Sequence, residues 1–382
     1  MTFRKALAAF ILLLVFNSGC GSFAGTKTYK NPDYSPNDLG YLRIGMPDIP
    51  RLPADDWINA SPGIVDSLGG KVVLFDFWDY TCVNCIRTLP YLKEWYKRYS
   101  GDGLVIIGVH SPEFQFAKKR RNLEKAAEKF GLMYPIVMDN DFKLWNEFGN
   151  QSWPEEYLFD ANGVLRYNHI GEGEYGNTEG MIQKLLKESD PKLSFPPVMQ
   201  PVRPTDVPGA VCYLPTAETY LGYERGHIGN GEGHADDKIL EYPRPKTVKK
   251  DRFYLVGKWE VHPQYVRYAG KSGNGRLLIN YAASSVNLVI RPDSAGAVDK
   301  NIHHSFRVYV YEDGLPVPEG ERPADMRSDH SGRTYIAVTF PGMYDIISGK
   351  DFGRHDLTLE PGSDAFAAYA FTFGTACDTT GH

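Results

Sequence analysis

Residues 72–78 read VVLFDFW, an apolar run broken by a single acid, and Cys82-Val83-Asn84-Cys85 follows four residues later. Six branched and aromatic residues around one acid, with almost no polar alternation, describe a buried strand. The next stretch, 86–99, places Leu89, Leu92, Trp95 and Tyr96 on one stripe at helical spacing. A buried strand, two cysteines and an amphipathic helix in that order call for an α/β domain with the cysteines at the strand–helix junction. The flanking pattern agrees. Residues 104–109 (LVIIGV) predict a second strand and 122–130 a second helix. Residues 156–159 and 164–170, joined by Asp160-Ala161-Asn162-Gly163, predict a β-hairpin with Asn-Gly in its turn. A helix over 181–188 closes the unit. The expectation for 51–190 is an α/β sandwich with a mixed sheet.

The cysteine pair sits where its chemistry is favoured. At a helix N-terminus the unsatisfied N–H groups stabilise a thiolate. Two intervening residues set the second sulfur one turn away, within reach of a readily reduced disulfide. Cys82, nearer the helix start, is the expected attacking thiol, and Cys85 the resolving one. Half of a zinc site or a structural disulfide are the alternatives. No second Cys or His pair at ligand spacing follows in this domain, so no metal is expected, and the only redox group is the Cys82–Cys85 disulfide. Asp76 lies six residues before Cys82 within the apolar strand. Desolvation there would raise its pKa and suit it to exchange a proton with Cys85; the alternative is a strand end facing solvent. Trp153-Pro154 precedes the hairpin, and such a bond can be cis, offering backbone to an incoming substrate strand. Without further context it reads as a turn. Trp78 and Trp153 are the candidate substrate contacts. A peroxidase reading is disfavoured, because Asp79 stands where peroxide-binding sites place Thr or Ser. The Val83-Asn84 pair brings no positive charge to the thiolate, which points to a reductant.

At 382 residues the chain exceeds what one core usually supports, so a second domain is expected. Its net charge of −5 excludes nucleic acid as a partner, and the run Lys118-Lys119-Arg120-Arg121 reads as a solvated helix face. Residues 191–211 are rich in proline and predict a linker. Beyond them the β-type runs 252–256, 276–281, 286–290, 306–311, 334–340, 344–347 and 367–373 are separated by Gly, Pro, Asp and Asn. They predict an all-β antiparallel sandwich, jelly-roll-like, over 212–377. Cys212 and Cys377 bracket it. A structural disulfide between them is expected, with two unpaired thiols as the alternative. Trp259, Tyr265 and Tyr268 are candidates for stacking on sugar rings, though aromatic residues of a sandwich are more often core. His303, His304 and His330 lack acidic partners at clear spacing and read as loop residues.

At the N-terminus, Arg4 and Lys5 precede an apolar run over 6–16, too short to span a bilayer and suited to a secretory leader. Asn17-Ser18-Gly19-Cys20 resembles a bacterial lipobox, with Asn17 where Leu is usual. Residues 1–20 are therefore expected to be a signal peptide with Cys20 as lipidation site; a plain leader with an incidental Cys is the alternative. Residues 21–50 read as a flexible tether. Lipid at Cys20 would hold the mature chain to a membrane surface outside the cytoplasm, in the periplasm or its equivalent.

Phe75-Asp76-Phe77-Trp78 followed by the cysteine pair resembles the active-site strand and helix of thioredoxin-like proteins. More specifically, WDYTCVNCIRTLPYLKEW, GVHSPEF, YPIVMDND and WPEEYLFDANGVLRYNHIGEGEY resemble, in order, the redox domain of DipZ-type thiol–disulfide proteins. TAETYLGYERG (216–226) and AYAFTFG (368–374) resemble the β-sandwich that follows it there. The resemblance implies Cys82 and Cys85 as the redox pair, Asp76 as the buried carboxylate and Pro154 as a cis-proline. It also implies an extracytoplasmic role in reducing disulfides of exported proteins or in cytochrome c maturation, with apocytochrome c as substrate. Members of that family carry a multi-helix membrane domain that delivers electrons. Here a leader and lipid motif stand in that place, so a membrane electron donor or acceptor in trans is expected. At the level of fold alone the β domain resembles carbohydrate-binding sandwiches, which makes a glycan a candidate partner. A reading from another class is a surface-anchored glycan- or protein-binding module whose CxxC only senses redox state; turnover separates the two.

Overall fold

The computed structural model describes residues 45–47, 53–60, 62–292 and 305–378. The leader, Cys20, most of the expected tether, His303 and His304 lie outside the described residues. Of the tether, Gly45 forms an antiparallel bridge with Val164, and the Met46 N–H donates to Gly163 O at 2.7 Å.

The first half is a six-stranded mixed sheet. Its strands are β1 (Trp57–Ile58), β2 (Val72–Trp78), β3 (Leu104–His110), β4 (Ile136–Met138), β5 (Glu155–Phe159) and β6 (Leu165–Ile170). They lie in the order β1-β4-β3-β2-β5-β6, with β2–β3 and β3–β4 parallel and the other pairs antiparallel. Helices α1 (Val83–Tyr99), α2 (Arg120–Phe130), α3 (Lys143–Glu147) and α4 (Tyr175–Ser189) complete it. Every residue of β2 is buried, which is why its sequence shows no alternation. Leu74 and Trp78 share one cluster with Leu89, Leu92 and Trp95 of α1 and Ile182 and Leu185 of α4. Val73, Phe75 and Phe77 point the other way, onto Leu144, Tyr157 and Phe159. Each such side chain stabilises the fold by roughly 1.5–3 kcal/mol, so both faces of the central strand are strongly specified. Alternation along β2 therefore sends Asp76 to the α1 and α4 side.

The second half is an all-antiparallel sheet of 11 strands. Its frame is two long strands, Arg276–Pro292 and Gly342–Pro361, paired along most of their length with irregularities near Ala283 and Val286. The runs 276–281 and 286–290 are thus one strand, bent by a bulge at a serine-rich point that reads as a break in sequence. The first part of Arg276–Pro292 pairs with Phe253–Val261 and its second part with Phe366–Gly374. Val266–Tyr268 pairs with both of those neighbours, so the four strands close a ring. Trp259 and Tyr268 are both wholly buried inside this half. They fill the core, the commoner place for aromatic residues of a sandwich, and the sugar-stacking alternative falls for both. Tyr265 is half-buried and stacks on Tyr369 at 4.9 Å. Cys212 and Cys377, 165 residues apart, are joined by a disulfide between the paired strands Val211–Cys212 and Cys377–Asp378.

The two halves share one core. Val289, Ala367, Tyr369 and Ala370 belong to the cluster of α1 and α4, and Phe114 and Phe116 set their rings edge-on to Tyr369 at 5.0 and 4.8 Å. The proline-rich stretch lies along the helices. Pro196 O and Pro197 O accept from Gln183 and Arg98, and Val202 N–H donates to Tyr91 Oη at 2.7 Å. No helix among the described residues is long and apolar enough to cross a membrane.

Candidate active site

Cys82 is the N-cap of α1. Its backbone is extended (φ −83°, ψ 116°), and its sulfur accepts from the Cys85 N–H at 3.3 Å. One donor left free at the helix start is thereby satisfied by the thiol itself. This cap explains why α1 begins at Val83, well before the apolar stripe that starts at Leu89. Both sulfurs are free thiols in this structure, Cys82 half-buried and Cys85 buried. Burial pushes the Cys85 thiol well above its ordinary pKa, reinforced by its hydrogen bond to Cys82 and the Cys82 charge. The two sulfurs thus differ in access, and burial ties the proton to Cys85.

Asp76 is buried, and neither of its carboxyl oxygens has a hydrogen-bond partner. Burial raises its pKa well above the carboxylate range, and the neighbouring Glu156 charge adds to the rise. Glu156 stands directly opposite across the β2–β5 ladder. It is 1% exposed, and its Oε2 accepts from the Thr178 hydroxyl at 3.1 Å. Burial pushes it up to about 7. Sequence reasoning missed Glu156. The readable signal was two successive acids, Glu155 and Glu156, in a strand: one of them had to face inward.

Asp79 is also wholly buried, but it is fully engaged. It accepts from the Thr81 N–H at 2.8 Å, the Thr81 hydroxyl at 2.9 Å and the Glu113 N–H at 2.5 Å. His110 Nε2 lies 3.7 Å away, and the His110 ring stacks on Tyr80 at 5.5 Å. The carboxylate three residues before Cys82 therefore fastens the loop after β3 to the strand–helix junction. The Asp79 carbonyl in turn accepts from the Cys82 N–H at 3.1 Å.

The Trp153–Pro154 bond is cis. Trp153 is half-buried, donates its indole N–H to Ser111 O at 3.0 Å and packs on Trp145 at 4.3 Å. It rests, like Cys82 and Ile86, on the rim of the α1 core cluster. Trp78 is different. It is wholly buried, packed against Gly108 and His110, so its assignment as a substrate contact is corrected: a side chain inside the core meets no substrate. From the second half, Phe340 brings its ring to 6.3 Å from Tyr80, two residues before Cys82. Among the described residues no group of three or more His, Cys, Asp or Glu side chains could hold a metal ion.

Comparison with known proteins fits this geometry. Residues 59–168 match the model of the AhpC/TSA family, and 216–374 match the thioredoxin-like C-terminal domain. The first half, with its mixed sheet and CxxC pair, is similar to thiol–disulfide oxidoreductase domains. Over 240 residues the chain is 36% identical to the protein DipZ of Mycobacterium bovis and of Mycobacterium tuberculosis, covering 61% of this chain and 33% of theirs. The chain spans about a third of the length of those relatives. It is also 28% identical over 149 residues to the thiol-disulfide oxidoreductase YkuV of Bacillus subtilis, covering 39% of this chain and 99% of that one. Among solved structures, a thioredoxin-like protein in its oxidized form aligns with 27% identity and a TM-score of 0.35, over 38% of this chain and 97% of that one.

Proposed function

We propose that the protein works outside the cytoplasm as a disulfide reductase, delivering two electrons from the Cys82/Cys85 dithiol to disulfides of exported proteins or of apocytochrome c. The observation that carries this reading is the asymmetry of the pair. Cys82 caps the helix and reaches the surface, whereas Cys85 is buried behind it with its proton held tightly. In the proposed cycle the Cys82 thiolate attacks a substrate sulfur, forming a mixed disulfide and releasing one substrate thiolate. Cys85 gives its proton to Asp76, attacks Cys82 Sγ and expels the second substrate thiolate. Substrate gains two electrons and takes protons from water and the enzyme, and the enzyme is left with the Cys82–Cys85 disulfide. The cis bond before Pro154 would expose backbone to pair with a substrate strand, with Trp153 beside it. The dithiol is then restored by a membrane donor acting in trans. Residues 1–20 as leader and Cys20 as lipid anchor would place the chain beside such a donor, with 51–190 and 212–377 as its two domains.

The direction of flow rests on Val83-Asn84, which adds no cationic stabilisation to the Cys82 thiolate. The deciding experiment is the reduction potential of the Cys82–Cys85 couple together with insulin reduction by the dithiol form. A potential near thioredoxin's, about −270 mV, with turnover supports a reductase. A value more than about 100 mV higher overturns the direction.

A further inference from the structure

Asp76 is not the only acid beneath the dithiol. β2 and β5 run antiparallel with Asp76 directly opposite Glu156, and directly opposed residues project to the same face with Cβ atoms about 4.5–5.5 Å apart. Leu74 and Trp78 on β2 and Leu158 on β5 place that face in the cluster that also holds Cys85. Both acids are 1% exposed. Both Asp76 oxygens and Glu156 Oε1 lack a hydrogen-bond partner, as does the buried Tyr134 hydroxyl.

The groups that face this pair are few. Among the described residues they are Cys85 from α1, Tyr134 from the segment before β4, Tyr167 and His169 from β6, the latter directly opposite Glu156, and Thr178 from α4. Burial lowers the His169 pKa below that of an ordinary imidazole, which favours its neutral form. None is a cation. Two carboxylates this close in a dry interior, without a counter-charge, do not both ionise; they hold a proton between them and titrate as a unit.

We propose that Glu156 is the second half of the acid–base group serving Cys85. Asp76 and Glu156 together hold one proton in the resting dithiol and take up a second from the Cys85 thiol as it resolves the mixed disulfide. In that step the Cys85 S–H bond breaks and an O–H bond forms on the pair. The Cys85 thiolate bonds to Cys82 Sγ, the bond from Cys82 to the substrate sulfur breaks, and the electron pair leaves on that sulfur. When a dithiol donor regenerates the enzyme, the pair returns the proton to Cys85. A shared proton makes the pair a better match to neutral pH than one buried acid, and gives it two points of control. The Thr178 hydroxyl sets Glu156, and Glu156 sets Asp76. The inference rests on the dithiol exchange proposed above.

Ellman's reagent tests it on the full chain in the dithiol state. Attack by Cys82 releases one thionitrobenzoate, and resolution by Cys85 releases the second, so the two steps are read separately across pH. The expected result is that Glu156→Gln, which keeps an acceptor for Thr178, moves the inflection of the second phase down by about one pH unit or more. Thr178→Val should move it up, because it removes the hydrogen bond that favours ionised Glu156. Asp76→Asn should leave an inflection carried by Glu156, and the double variant should have none. Far-ultraviolet circular dichroism checks that each variant is folded, and the first phase, which needs Cys82 alone, serves as the internal reference. The idea is overturned if the Glu156→Gln and wild-type profiles superimpose while Asp76→Asn alone abolishes the inflection. A wild-type protein that releases neither thionitrobenzoate would instead sink the exchange reading itself.

Discussion

The Tyr220 hydroxyl, at the start of the second half, donates a 2.9 Å hydrogen bond to Glu113 on the loop that follows β3. Arg225 reaches the same carboxylate at 2.8 Å while its guanidinium lies 3.5 Å over the Tyr220 ring. The Glu113 N–H is also bonded to Asp79, three residues before Cys82. A continuous set of contacts thus runs from the β half to the segment that carries Cys82. The β half therefore braces the redox junction, whatever else it binds.

Tyr220→Phe removes one hydrogen bond to a charged acceptor and leaves the Arg225 contact in place. The expected cost is about 1.5–3 kcal/mol. Urea unfolding checks it, and the same change made in a Glu113→Gln background should cost less, since the two side chains share one interaction.

Cys85→Ser should leave Cys82 able to attack but unable to be displaced. Incubated with a disulfide substrate, this variant should accumulate a stable mixed disulfide on Cys82, visible as an adduct by intact mass under non-reducing conditions. Cys82→Ser should form none, because the remaining thiol is buried and its proton is held tightly. An adduct on Cys85 in that variant would reverse the proposed roles.

The parts of this fold legible in sequence were those where burial leaves a local signature. VVLFDFW lies in the centre of the sheet because both of its faces are covered, and that demands a run that is apolar but for Asp76. The stripe of Leu89, Leu92 and Trp95 marked the buried side of α1. What stayed hidden depends on contacts distant in the chain. Glu156 matters because of its register against Asp76, and a register is set by sheet pairing that no local pattern reports. Arg276–Pro292 read as two strands because its bulge is polar and its middle switches partners. Gly222 in the string TYLGYERG carried no local reason, yet a Cβ there would strike the backbone of Pro263 and Gln264. Trp259 and Tyr268 carried a surface alternative beside the commoner core reading, and closure of the ring of strands decided for the core.

The Cys212–Cys377 bridge spans 165 residues, so it closes nearly the whole β half into one loop. Cross-linking over such a distance removes much of the freedom of the unfolded chain, and losing a native disulfide typically costs about 2–5 kcal/mol. Cys212→Ser with Cys377→Ser should lower the urea midpoint accordingly. Thiol alkylation of the unreduced wild-type protein under denaturing conditions should leave both residues unlabelled.

Stability should depend on pH through the same buried acids. Glu156 has a folded-state pKa of about 7 against 4.5 for the ordinary group, so the native state holds a proton that the unfolded chain releases. Such a group stabilises the fold fully below the unfolded value, and the contribution is lost as pH rises from about 4.5 through about 7. A difference of that size corresponds to about 3 kcal/mol. Asp76, raised in the same direction, adds a loss of the same sign. Wild-type protein should therefore unfold at a lower urea concentration at pH 7.5 than at pH 5. Glu156→Gln removes one titrating group and the part of the Asp76 shift that Glu156 adds to burial, so its midpoint should change less between those two conditions. If the two proteins lose stability in parallel, the pH dependence arises elsewhere and Glu156 does not titrate in this range.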